Sequence, residues 1–111
     1  MLSRSNRLSG EQLNLVIEKG KVLHSPFFWL RFRKEDGLSR FAVLSPVKIV
    51  KTAVKRNYFR RKVYSIIRSF QDGIISGQHI VICPKEPAIK ADMATLAEQV
   101  REIFVKSGLL K

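Results

Sequence analysis

Apolar residues recur along the chain at several different spacings, and each spacing predicts an element. Ser9 is followed three residues on by Gln12, a capping-box spacing, and Leu13, Val16 and Ile17 then share one helical face until Gly20. This predicts a helix from about Gly10 to Lys19. Val22 to His24 reads as a short strand, and the aromatic, branched run Phe27 to Arg33 as a longer one. Period two there puts Phe28, Leu30 and Phe32 on one side and Phe27, Trp29, Arg31 and Arg33 on the other. Asp36-Gly37 turns the chain into Arg40 to Ser45, and the two runs are expected to pair as an antiparallel hairpin.

Beyond Ser45-Pro46, the positions Phe59, Val63, Ile66, Ile67 and Phe70 form the buried stripe of a second helix ending near Gln71, before Asp72-Gly73. His79 to Cys83 is continuously apolar and closed by Pro84, as in a strand buried on both faces. Asp92 is placed to cap a last helix with Met93, Leu96, Ala97, Val100, Ile103 and Phe104 on one side, ended by Gly108. The order α-β-β-β-α-β-α implies an α+β two-layer sandwich, helices against one sheet, in a single domain over residues 1–111. Strand order does not follow from this pattern.

Charge changes the picture from fold to partner. The chain carries 21 Lys and Arg against 9 Asp and Glu, a net charge of +12. The excess is localised: residues 1–71 hold 16 bases and 4 acids, whereas residues 72–111 hold 5 of each. No acid lies between Asp36 and Asp72. A charge serving only solubility needs no such segregation, and the pattern points to a polyanion. No apolar run approaches the ~20 residues of a spanning helix and Met1 to Gly10 lacks a secretory core, so nucleic acid is preferred over a membrane. The single cysteine, Cys83, lies in an apolar run; a buried structural thiol and a cytoplasmic location are expected.

The second helix opens with six bases in the twelve residues Lys51 to Lys62, and their periodicity keeps most of them off the Phe59/Val63 stripe. Arginine forks grip phosphate oxygens, and Asn57 offers both donor and acceptor. A helix laced with ion pairs would need acidic partners, and this one has none. The aromatic and arginine residues of the Phe27 strand form either a stacking platform for single-stranded RNA or, for Trp29 and Phe27, core beneath a helix. A protein ribonuclease would need an acid and a base at one phosphate; His24 and His79 are the obvious candidates, and each is read as structural. A helix-turn-helix DNA reader is disfavoured, since Pro46 interrupts the region before the basic helix.

The run Ala53 to Arg61, with Arg56-Asn57 and Arg60-Arg61, resembles the RNR motif of the protein subunit of bacterial ribonuclease P. Asn6-Arg7-Leu8 and a first helix ending in Lys19-Gly20 resemble that family's opening, and element order and length agree over nearly the whole chain. The resemblance implies a ribosomal protein S5 domain 2-like fold with a left-handed βαβ crossover around the second helix. It also implies the role of partner to a catalytic RNA, an endoribonuclease that removes the 5′ leader of precursor tRNA and leaves 5′-phosphomonoesters. Chemistry then resides in the RNA, with Mg²⁺ bound mainly by it and no catalytic side chain or metal ligand expected on the protein. Ribonuclease P RNA and precursor tRNA are the implied partners, with no membrane and no DNA.

By this resemblance Arg56, Asn57, Arg60 and Arg61 face the catalytic RNA; Lys51, Lys55, Lys62 and Arg68 of the same basic region are expected to join them in binding RNA, the last three able to restore charge missing at Tyr58 and Tyr64. The precursor leader is expected in a cleft between the first helix and the sheet, lined by Leu13, Ile17, Phe27, Trp29 and Arg31. Two positions depart from the family pattern: Tyr58 and Tyr64 stand where arginine is common, each able to stack on a base or to pack. Leu13, Ile17 and Arg31 stand where the family often has aromatic residues, which implies leader stacking that is either weaker here or transferred to Trp29. The alternative is a non-catalytic ribosomal or RNA-chaperone-type binder of the same fold.

Overall fold

The computed structural model describes residues 7–110, so Asn6 lies outside the described residues. Ser9 and Gln12 form the full capping box: the Gln12 N–H donates to Ser9 Oγ (3.2 Å) and the Ser9 N–H to Gln12 Oε1 (2.9 Å). Helix α1 therefore starts at Gly10 and runs to Lys19. Its end is set by close approach, since a Cβ on Gly20 would fall 2.5 Å from the Val16 carbonyl and 3.0 Å from that of Phe32.

Strands β1 (Lys21–His24) and β2 (Phe28–Lys34) form an antiparallel pair. Ser25 makes the turn between them: its Oγ accepts from the N–H groups of Phe27 and Phe28, while its own N–H donates to the Phe28 carbonyl. Strand β3 (Arg40–Val43) does not pair with β2 as the Asp36-Gly37 turn predicts. Strand β4 (Gln78–Pro84) lies between them, antiparallel to β2 and parallel to β3, giving the order β1-β2-β4-β3. The reason is burial. All residues of β4 from His79 to Pro84 are buried, so this strand needs neighbours on both edges and cover on both faces. The polar groups of the turn region serve the same end, with Glu35 N–H donating to the Gly77 carbonyl and Gln78 N–H to Ser39 Oγ.

The connection from β3 to β4 is helix α2 (Ala53–Ser69), closed by a 3-10 turn at Gln71–Gly73. Thr52 caps α2 by accepting the Lys55 N–H. After β4 come a short helix α3 (Glu86–Lys90), which the apolar pattern does not announce, and α4 (Met93–Lys106), capped by Asp92. Gly108, at φ +83°, supplies the left-handed residue that ends α4. Met93 departs from the expected stripe and stands 46 % exposed.

The main core joins Phe28, Leu30, Phe41, Val43, Ile80 and Ile82 of the sheet to the α2 stripe and to Leu96, Val100, Ile103 and Phe104 of α4. Fully buried side chains such as Val63 and Ile67 contribute about 1.5–3 kcal/mol each by leaving water. Phe70 meets Phe104 edge to face, with centroids 5.3 Å apart. Helix α1 packs on β2 and β4 across the other face, where Val16, Val81 and Cys83 are buried outside that cluster. The sheet thus offers two separate surfaces to a partner: the outward side of α2, and the strip between α1 and β2.

Candidate nucleic-acid interface

Burial of Phe59, Val63, Ile66 and Ile67 fixes the rotation of α2, and the remaining positions must face outward. Lys51, just before the cap, and Lys55, Asn57, Arg61 and Arg68 are exposed, whereas Arg56, Arg60 and Lys62 are half-buried. The half-buried ones are held in place. Arg56 Nη1 donates to the Val50 carbonyl (3.0 Å), Arg60 donates to Asn57 Oδ1, and Lys62 Nζ lies 5.1 Å from the centre of the Tyr58 ring. Each of these contacts leaves further N–H donors on the same cation uncommitted.

The two tyrosines part ways. Tyr64 is 8 % exposed, and its Oη accepts the Val43 N–H (3.2 Å), which ties α2 to β3. Tyr58 is 63 % exposed among the α2 cations, with its ring available for stacking. Above Tyr64 lies Arg7, its guanidinium 5.1 Å from the ring centre, and together with Asn57, Arg60 and Arg61 these two residues line a concavity of about 280 Å³.

On the other face Ile17, Trp29 and Arg31 converge. Arg31 Nη1 donates to the Ile17 carbonyl and its guanidinium lies 5.5 Å from the Trp29 ring centre. Leu13, one turn before Ile17 on the same helix face, is half-buried. Phe27 does not join them: it precedes β2 and packs against the main core. Trp29 is half-buried and belongs to no part of that core cluster, so a ring is available where the strip opens. A further basic group was not singled out by the sequence pattern. Lys19, Lys21, Arg33 and Lys34 surround an open concavity of about 280 Å³, brought together only by the pairing of β1 with β2.

The histidines do not form a catalytic pair. His24 is opposite Trp29 in the sheet and His79 opposite Arg33, four residues apart along β2 or roughly 13 Å at ~3.3 Å per residue. His79 is buried, and burial pushes its imidazole below the ordinary range, with Arg40 and Arg33 adding to this and Glu35 opposing it. Among the described residues no three His, Cys, Asp or Glu side chains cluster so as to hold a metal ion. Nor is any helix among them long and apolar enough to cross a membrane.

A fold with this element order and an acid-free basic helix has relatives of known family. The family model described as Ribonuclease P matches residues 2–108. The chain belongs to the ribonuclease P protein family. It is 27 % identical over 113 residues to the ribonuclease P protein component of Pseudanabaena sp., an alignment covering 99 % of this chain and 97 % of that one. The ribonuclease P protein of Thermotoga maritima superposes with a TM-score of 0.79 at 27 % identity, over 87 % of this chain and 93 % of the other. That of Staphylococcus aureus gives 0.86 at 14 % identity, over 96 % and 98 %, a likeness of fold.

Proposed function

We propose that this ribonuclease P protein is the protein component of the ribonucleoprotein that removes the 5′ leader from precursor tRNA. The observation that carries the reading is α2: a 17-residue helix, buried along one stripe, whose outward side presents lysine, arginine and asparagine with no carboxylate. Its cations neutralise RNA phosphates and release counterions, so association is strong at low salt and weakens steeply as salt rises. The strip at Ile17, Trp29 and Arg31 takes the leader: Trp29 supplies a stacking ring and Arg31 a cation, with Leu13 at its margin.

On this reading the chain's residues bind, orient and screen. The cleavage chemistry then belongs to the RNA, with Mg²⁺ coordinated mainly by it, and the protein lowers the repulsion between two polyanions. A cytoplasmic site of action fits this role. The test is cleavage of a precursor tRNA at low Mg²⁺ by a bacterial ribonuclease P RNA, with and without this protein, beside the protein alone. Cutting at the 5′ end of the mature sequence by the combination only is the expected result. If the protein binds RNA and changes nothing in cleavage, a purely structural RNA-binding role replaces this one.

A further inference from the structure

We infer that Lys19, Lys21, Arg33 and Lys34 form a second phosphate-backbone site, which holds a segment of the catalytic RNA other than the one on α2, so that one protein bridges two parts of the folded RNA. The inference rests on the proposed function and adds a contact to it.

The turn from α1 into the sheet builds the site. Lys19 closes α1 and Lys21 opens β1, with Gly20 between them pressed so close to β2 that a Cβ would meet the Phe32 carbonyl at 3.0 Å. Lys21 then stands opposite Phe32 in the ladder, Arg33 opposite His79 and Lys34 opposite Gln78. With Phe32 and Gln78 the four cations line a concavity of about 280 Å³. Arg33 is half-buried at its place in the sheet, whereas the three lysines are exposed. Their charge has no answer within the protein. Glu18 precedes Lys19 and Glu35 follows Lys34, yet neither lines the concavity, and among the described residues no ion pair joins any of the four to an acid. Like charges gathered around one hollow repel each other, and a bound polyanion replaces that repulsion with attraction.

Position separates this site from both surfaces described above. Tyr64 ties α2 to β3, while the concavity lies at β1 and β2; from β1 to β3 is three strand spacings, roughly 14 Å at ~4.8 Å each. One phosphate cannot touch both. Trp29 in turn lies four residues before Arg33 along β2, roughly 13 Å at ~3.3 Å per residue. The chemistry differs as well. The strip offers a ring to an unpaired base, whereas here the aromatic residue, Phe32, is half-buried and packs against the main core. What remains for a ligand is cationic, three flexible point charges and one planar fork, a set that grips phosphates without reading bases. Folded RNA, with its bases paired away and its phosphates outward, matches this set better than a single-stranded leader does.

The experiment measures, on the full chain, the dissociation constant for a bacterial ribonuclease P RNA across a salt series, without precursor tRNA. Wild type is compared with the pair Lys19→Ala and Lys21→Ala, with Arg33→Gln, and with a control pair, Arg101→Ala and Lys106→Ala, at two exposed cations of α4. The lysine pair should lower the slope of log K against log salt by roughly two and Arg33→Gln by roughly one, at ~0.9 per phosphate contact, while the control pair leaves it unchanged. Joined to Arg60→Ala and Arg61→Ala, the lysine pair should give a loss equal to the product of the two separate losses, since the patches share no contact. The lysines are exposed, so their removal should leave the unfolding midpoint in place. An unchanged slope overturns the site, and so does an equal loss from the control pair, which would make the effect one of net charge. A loss seen only once precursor tRNA is added would move the patch to the substrate and overturn it too. Failure of the wild-type chain to bind that RNA at all instead removes the functional reading beneath it.

Discussion

Trp29→Ala separates leader recognition from general RNA affinity. The ring stands half-buried near the start of β2, on the α1 side, outside the main core cluster, with the Arg31 guanidinium 5.5 Å from its centre. Arg31 is in turn tied to the Ile17 carbonyl, so the ring and cation form one rigid surface across α1 and β2. Removing the ring takes away one base-stacking partner, about 1–3 kcal/mol or roughly 5- to 150-fold in affinity. It also frees Arg31 from a cation–π contact of about 0.5–1 kcal/mol, which affects how well the cation is positioned more than the fold. The assay is the dissociation constant of the assembled particle for precursor tRNA and for mature tRNA in parallel. The expected result is a loss for the precursor alone, largely restored by Trp29→Phe. Equal losses for both substrates would refute the reasoning, and a large drop in unfolding free energy would show that the ring is a core residue.

Arg60→Ala together with Arg61→Ala should flatten the salt dependence of RNA binding, reducing the slope of log K against log salt by roughly one to two, at ~0.7–0.9 per phosphate contact; an unchanged slope would remove α2 from the interface. Tyr58→Ala, at a ring 63 % exposed, should leave stability within about 0.5 kcal/mol of wild type while weakening RNA binding, as thermal unfolding and titration of the same samples would show. Burial pushes the Cys83 thiol up to about 11, so it should resist alkylation at pH 8 in the folded protein and react on unfolding; rapid labelling of the native chain would contradict its burial. His79, lowered by burial, is favoured neutral in the fold, so its contribution to stability is present above the unfolded value of 6.5 and lost as pH falls through the folded one. Replacing it with Asn should flatten that part of the stability–pH curve, measured by urea unfolding from pH 5 to 8.

Local signals proved sufficient wherever one short stretch carried the whole physical reason. The Ser9/Gln12 box, the Asp92 position, the α2 stripe and the both-faces burial of β4 each rest on contacts within a few residues or on burial alone. The cationic side of α2 was legible for the same reason: once the apolar stripe must face inward, helical geometry sends the bases outward. Strand order was not legible, because the Asp36-Gly37 turn favours a hairpin locally while β4, apolar on both faces, gains more by lying between β2 and β3. Phe27 and Trp29 carry the same kind of side chain two residues apart, and only the start of β2 at Phe28 places one against the core and the other at the strip. Tyr58 and Tyr64 were equivalent by composition; the tertiary fold buries one against Val43 and leaves the other at the surface. The meeting of Arg7 with residues 57–64 was decided by tertiary structure alone. No periodicity links positions fifty residues apart, and their contact exists only because the N-terminal segment lies beside β3 while α2 crosses from β3 to β4.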